Sequence, residues 1–580
     1  MARVEHFRKK TISPKWIVTG LFLAILMIIS SILLLLYPYA SKEKIDYFQG
    51  KSPILYQNEQ QGNALIDGET VFLPIKFIKE QLDDSLIFDE KSKSIIITTE
   101  NKVIQMPTES LTYYVNEKPV TLHFPSIQSA NGELYVALEP LLKYYPIQYT
   151  LLTENEGIWI HSNGDELVHG SIKAGDIHRE MLRLRTEPTL RSSYVAELKN
   201  TEKIYIESEK EEYYFIRKEN GIAGYLNKEF VIEENTEQIL VKNENKAKNL
   251  TKIKGPIRLT WEAVYTKNPN TKQLPEMPGI NVVSPTWFEL ENEAGNIQNL
   301  GSLDYVKWAH SKGFQVWGLF SNAFDPELTH LAFKDYETRQ KMIRQLLHYS
   351  QMYQLNGINL DIENVNVEDG PLITQFVREA TPLFHEAGLT VSMDITFIST
   401  SGNWSVFYER EKLSKIVDYI MVMAYDEHWG SSPVAGSVAS LPWVEQNIEK
   451  LLTVVPNEKL ILGVPLYTRL WKEQTLSDGQ IEVTSKALSM SKIKEWLAKN
   501  NLKPTYDAAT GQNYAQIYLK DEDATYKVWL EDELSLSKRA EVMMKYDLAG
   551  VASWSRFFAD DTAWAALHTT DPNYTKADEK

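Results

Sequence analysis

The 580-residue sequence contains no cysteine. Disulfides, cysteine-ligated metals and a catalytic thiol are therefore excluded. The absence does not conflict with export, because a chain this long can bury enough apolar surface to be stable without covalent staples. An excess of positive charge is missing too: 61 Lys and Arg face 78 Asp and Glu, a formal charge of −17. That balance argues against a nucleic-acid partner, which calls for a basic patch or stripe, and against bulk attraction to an anionic cell wall. His310, His330, His348, His385 and His428 show no His-x-x-x-His or similar ligand spacing, so no metal and no cofactor is assigned. Acidic runs such as Glu207–Glu212 read as solvated surface.

Long hydrophobic runs are scarce except at the N-terminus. Ile17 to Leu36 carries no charge, and about 20 apolar residues span a bilayer as a helix. Arg3, Arg8, Lys9, Lys10 and Lys15 precede it, the pattern of a cytoplasmic start, with Trp16, Tyr37 and Tyr39 at the interfaces. A cleaved signal peptide normally has an apolar region of only about 7–15 residues. The expectation is a cytoplasmic basic segment over 1–16 and an uncleaved, single-pass transmembrane helix over 17–37 in the cell membrane. The chain from about Ser41 onward is then extracytoplasmic.

Apolar content of 43% with 11% aromatics describes a folded chain. Residues 50–165 read as a small α+β module with an internal echo: GETVFLPIKFIKEQLDDSLIFDEKSKSIIITT and GELYVALEPLLKYYPIQYTLLTENEGIWI both run strand, short helix, hairpin. The pattern resembles the copper amine oxidase-like N-terminal domain of exported proteins. No copper is implied, since only His123 and His161 fall in the stretch, without ligand spacing. Residues 173–234 form a run of short strands, a small all-β barrel. LRLRTEPTLRSS followed by NGIAGYLNKEFV resembles a bacterial Src-homology-3-like domain. Residues 235–254 are polar and rich in Lys and Asn, a linker.

From Gly255 the rhythm changes. Apolar strands at 257–265, 280–290, 314–324, 357–365, 389–397, 419–429, 459–471 and 550–558 alternate with helical stretches such as Asp335–Tyr353. Eight strands with helical crossovers predict an α/β fold, a (β/α)8 barrel over 255–571, with an insertion at about 472–530. In such a barrel, catalytic groups come from the C-terminal strand ends. GINLDIENV, residues 357–365, places Asn359, Asp361 and Glu363 on one face of the fourth strand and Leu360 and Ile362 on the other. Burying the polar triplet costs several kcal/mol unless its members are paired or protonated. A protonated acid beside an ionised one is what general-acid chemistry requires.

The barrel resembles glycoside hydrolase family 18, the chitinases and peptidoglycan-acting N-acetylglucosaminidases. The fourth-strand motif of that family, Asp-Gly-x-x-x-Asp-x-Glu, is matched by Asn356-Gly357-Ile358-Asn359-Leu360-Asp361-Ile362-Glu363. MAYDEHW (423–429) is similar to its sixth strand, GVPLYTRLW (463–471) to its seventh, and the segment ending in Trp554 to its eighth. DEHW together with the front modules is most similar to the spore-germination and cortex-lytic branch. The resemblance implies that Glu363 is the general acid, that Asp361 orients the substrate's acetamido group, and that Tyr425 hydrogen-bonds its oxygen. It implies further that Asp426 lines the subsite, that Trp554 floors it, and that Tyr467 and Arg469 sit at its rim. Asn356 and Asn359 stand where relatives carry Asp; the Asn359 amide is expected to donate to Asp361 and keep it ionised. The implied function is a retaining, substrate-assisted glycosidase acting on an N-acetylglucosamine-containing polysaccharide, peptidoglycan or spore cortex. The alternatives are a chitinase and a non-catalytic wall-glycan receptor.

Overall fold

The computed structural model describes residues 13–36, 40–152, 154, 156–242 and 253–568. Arg3, Arg8, Lys9, Lys10, Tyr37, Tyr39 and half of the expected linker lie outside that set. The apolar run is one helix, Pro14–Leu36. Its segment Pro14–Leu33 has a mean hydropathy of 2.5, long and apolar enough to cross a membrane.

The chain divides into two compact units. The first comprises residues 1–82 and 127–244. It contains two four-stranded sheets and a seven-stranded sheet. The seven-stranded sheet takes in Glu166–Ile172, ahead of the expected Src-homology-3-like boundary, and Val231–Gln238, which runs past the expected start of the linker. Its core is apolar around Leu184, Ile204, Ile216 and Leu226. Beside it, the buried Arg217 is matched by Glu207 and by the carbonyl of Asn58.

The second unit holds the barrel, with strands β1 (Ile257–Glu262), β2 (Val282–Leu290), β3 (Gln315–Ser321), β4 (Gly357–Asp361), β5 (Thr390–Ile395), β6 (Tyr419–Met423), β7 (Leu460–Pro465) and β8 (Gly550–Trp554). Each pairs in parallel with its sequence neighbours, and β8 pairs with β1 to close the ring. Alternation along the strands builds two apolar layers. Trp261, Trp317, Leu319, Met421, Ile461 and Ala552 fill the interior, whereas Ile358, Leu360, Val391, Met393, Val422 and Leu462 face the helices.

All eight strands are shorter than the sequence suggests, and two of the differences bear on the site. β4 stops at Asp361, so Glu363 lies just beyond it. The seventh apolar run breaks at Leu466: Leu460–Pro465 belongs to the barrel, and Tyr467–Thr475 begins a separate five-stranded antiparallel sheet spanning 467–529. A five-stranded sheet over residues 87–121, sequence that reads as part of the front module, also belongs to this unit. Its Ile96 and Val103 join the barrel's outer core. Asp89 accepts the backbone N–H of Tyr336 at 2.8 Å, at the start of helix Tyr336–Tyr353.

Candidate active site

The acids converge at the C-terminal mouth of the barrel. The residues around Glu363 are fixed by a reciprocal clasp: its N–H donates to Asn322 Oδ1 at 3.0 Å, and Asn322 Nδ2 donates to the Glu363 carbonyl at 2.8 Å. The Tyr408 hydroxyl donates to the Ile362 carbonyl at 2.8 Å. A loop residue is thereby held as firmly as a strand residue. Its side chain is half-buried and lines a cleft of about 780 Å³ together with Tyr425, Asp426, Trp404, Trp429 and Trp443.

Burial, then the charges of Asp361 and Asp426, push the Glu363 carboxyl well above its ordinary range. Burial lifts Asp361 to about 7. Asp361 Oδ1 is buried without a hydrogen-bond partner. The mouth therefore favours protonated carboxyls near neutral pH.

Asn359, fully buried, behaves differently from the sequence expectation. Its Oδ1 accepts from Trp261 Nε1 at 2.9 Å and from Ser284 Oγ at 3.1 Å. Its Nδ2 donates to Asp394 Oδ1 at 2.8 Å, and not to Asp361. Strand side chains stand roughly perpendicular to the sheet, so an amide meets the neighbouring strand more readily than a residue two places along its own. The expectation that the Asn359 amide keeps Asp361 ionised is corrected by this bond.

Tyr425 and Asp426 follow β6 and line the cleft. Asp426 adopts a left-handed backbone, φ 60°. Its Oδ1 accepts from the Tyr467 hydroxyl at 2.6 Å and from Arg469 Nη2 at 2.9 Å. Tyr467 and Arg469 thus brace Asp426 from the first strand of the inserted sheet. Burial, with Asp426 adding to the effect, raises the Tyr467 hydroxyl well above 10. Burial does the same to Tyr425. Trp554 ends β8, half-buried, with its ring 5.9 Å from that of Trp261. Trp554, Asp361 and Asn359 are not among the residues lining the cleft.

Of the tryptophans near strand ends, Trp261, Trp287, Trp317 and Trp471 are core residues. Trp404 and Trp429 are 46% and 53% exposed and face the cleft. The sequence reading passed over Trp443, Asn322 and Asp394. Asp394 had a visible signal: an acid at an inward position of the apolar run LTVSMDITF. Among the described residues no cluster of His, Asp and Glu could hold a metal ion.

A closed parallel barrel with an acid lifted out of its usual range at its C-terminal mouth defines a glycosidase-type site. Residues 284–559 match the family described as glycosyl hydrolases family 18, and residues 55–148 match the copper amine oxidase N-terminal domain. The barrel region thus matches glycoside hydrolase family 18, and the curated proteins similar to it include cortical fragment-lytic enzymes. It is 24% identical over 299 residues to the uncharacterized glycosylase YvbX of Bacillus subtilis, covering 50% of this chain and 84% of that protein. It is 24% identical over 255 residues to the cortical fragment-lytic enzyme of Bacillus subtilis, covering 43% of this chain and 58% of that protein. The spore cortex-lytic enzyme SleL of Bacillus megaterium superposes with a TM-score of 0.48 at 17% identity, over 58% of this chain and 77% of that one.

Proposed function

We propose that the protein is a membrane-anchored, extracytoplasmic glycosidase that cleaves β-1,4 bonds in an N-acetylglucosamine-containing glycan, with peptidoglycan or spore cortex as the polymer. The observation that carries this reading is Glu363: a carboxyl on the cleft wall, raised by burial and neighbouring negative charge, and clasped at its backbone by Asn322. A carboxyl so raised still holds its proton near neutrality, as a general acid must.

In the reaction, Glu363 delivers its proton to the glycosidic oxygen and the leaving sugar departs. The acetamido oxygen of the substrate attacks its own anomeric carbon, so no enzyme carboxylate becomes covalently bound. Asp361 orients the acetamido N–H and faces the positive charge of the cyclic intermediate. Tyr425 donates to the acetamido oxygen, and Asp426, held by Tyr467 and Arg469, binds a sugar hydroxyl. Glu363, now ionised, takes a proton from water as the water opens the ring and regenerates the acid. Trp404 and Trp429 offer apolar faces to neighbouring sugars, and Trp554 supports the ring at the cleavage point.

Peptidoglycan is preferred to chitin on account of the front modules, the apolar N-terminal helix and the kinship with a cortical fragment-lytic enzyme. The test uses the full chain in detergent and its Glu363→Gln variant on purified peptidoglycan, spore cortex and chitin. Release of new reducing ends is followed alongside mass spectra of the fragments. Release by the parent alone identifies the hydrolase and its polymer. Equal binding of glycan by both proteins, with no release from any polymer, makes the barrel a receptor.

A further inference from the structure

The reaction described above uses Asp361 and Glu363, yet a third acid is buried against them. Asp394, on β5, is 2% exposed and stands in register with Asp361 on β4. Residues paired across neighbouring strands lie about 4.8 Å apart and point to the same face. Both side chains therefore project into the barrel mouth. On its other side Asp394 is in register with Met421, and Asp361 with Ser321. The titratable groups bearing on the two acids are Glu363, from beyond β4, and the hydroxyls of Tyr408 and Tyr425. No Lys, Arg or His makes an ion pair with Asp361, Asp394 or Glu363 among the described residues.

The hydrogen bonds around Asp394 fix one of its oxygens as an acceptor. Indole N–H is a donor only, so the bond from Trp261 Nε1 assigns the acceptor end of the Asn359 amide. The donor end must then face Asp394, whose Oδ1 accepts it at 2.8 Å. Asp361, in register with Asp394 on the neighbouring strand, has its Oδ1 buried with no partner. Two adjacent buried carboxyls without a cation cannot both ionise at modest cost. The burial of Asp394 and the charge of Asp361 together push its carboxyl well above the ordinary range.

We propose that Asp394 is a positioning residue for Asp361: the two carboxyls hold one proton between them, and its transfer onto Asp394 leaves Asp361 ionised as positive charge develops on the sugar. One O–H bond breaks on Asp361 and one forms on Asp394, and the pair keeps a single negative charge throughout. Glu363, facing that charge, retains its own proton until it is delivered. The kinetic part of this inference rests on the glycosidase reading; the shared proton does not.

Two readouts separate the claims, both on the full chain in detergent. The first is the pH dependence of kcat and KM for the parent, Asp394→Asn and the double variant Asn359→Asp/Asp394→Asn, with soluble N-acetylglucosamine oligomers or peptidoglycan fragments. Asp394→Asn is expected to move the acidic limb upward by about one pH unit and to lower kcat about tenfold, with KM nearly unchanged. The double variant returns a carboxyl to the mouth from β4 and is expected to recover most of the loss. An unmoved limb and unchanged kcat in folded Asp394→Asn overturn the proposal.

The second readout is the infrared carbonyl stretch of protonated carboxyls, compared between Glu363→Gln and Glu363→Gln/Asp394→Asn at about pH 8, above where burial alone leaves Asp361. Loss of a protonated-carboxyl band in the second protein supports the shared proton; identical spectra overturn it. If Asp394→Asn does not fold, the band in Glu363→Gln, titrated alone, decides: persistence past neutrality supports the pair, and disappearance with ordinary carboxyls overturns it. A parent that hydrolyses nothing removes the glycosidase reading, while the infrared result still judges the pair.

Discussion

The barrel buries acids in two contrasting ways. On its outer side, Glu379 is fully buried and receives Arg339 through Nε at 3.0 Å and Nη2 at 2.8 Å, with Gln340 and Gln375 completing its bonds. Glu531 is matched in the same way by Arg539, Gln512 and Ser535. At the mouth, the buried Asp361 and Asp394 stand with the half-buried Glu363, none of them paired with a cation among the described residues, and all three carboxyls are raised. These two buried acids on the outer side are each given a guanidinium, whereas the acids at the mouth, among them the proposed proton donor, have none among the described residues. The first arrangement fixes charge in place; the second keeps protons available at neutral pH.

The largest effect is expected at the mouth. Glu363→Gln keeps the shape and removes the proton, so glycan cleavage should fall by about 10³-fold, within the usual range for a lost general acid, with glycan binding retained in a pull-down assay. On the paired side the outcome inverts. Arg339→Met strands the Glu379 charge and should cost about 3–5 kcal/mol, read as a lower Tm. Arg339→Met/Glu379→Leu, which removes both charges, should recover much of that loss. A Glu363→Gln variant that unfolds, or an Arg339→Met variant as stable as the parent, breaks the contrast.

Asp361→Asn separates activity from stability. Activity should drop about a hundredfold, as for other removed electrostatic stabilisers. Stability should move the other way. A carboxyl raised in the folded state contributes stability that is present below its unfolded pKa and lost as pH climbs to the folded value. For Asp361 that window runs from about 4 to about 7. The variant should therefore gain about 2–6 °C in Tm above pH 7 and nearly nothing at pH 4, by calorimetry at both pH values. The smallest effects belong to the cleft wall: Trp404→Ala and Trp429→Ala should each raise KM about fivefold to twentyfold, roughly 1–2 kcal/mol of lost apolar contact, with kcat little changed. A change confined to kcat would move those tryptophans out of sugar binding.

The barrel was legible in the sequence because each strand is a short apolar run and each crossover has helical periodicity. The acids on β4 were legible because charge inside an apolar run is rare. What escaped the reading required three-dimensional adjacency. Asp394 lies 33 residues from Asp361 in sequence, and only the β4–β5 register places them side by side. The break at Leu466 was hidden because GVPLYTRLW stays apolar across the point where the chain leaves the barrel for the inserted sheet. The strip 83–126 reads by pattern as front module, yet its sheet packs in the unit that holds the barrel, through Ile96, Val103 and the cap from Asp89 to Tyr336. Local periodicity carries no record of which core a strand joins. The split among the tryptophans, four in the core and three on the cleft, depends on burial that spacing alone does not reveal.

The contrast rests on Glu363 keeping its proton near neutrality. The most direct test is the pH profile of kcat/KM for the full chain on a soluble fragment of whichever polymer it cleaves. A general acid raised by its surroundings predicts activity sustained through pH 7, with its basic limb well above the ordinary carboxyl value of about 4.3. A basic limb that falls between about pH 4 and 5 would mean that Glu363 titrates like an ordinary carboxyl and would contradict the account.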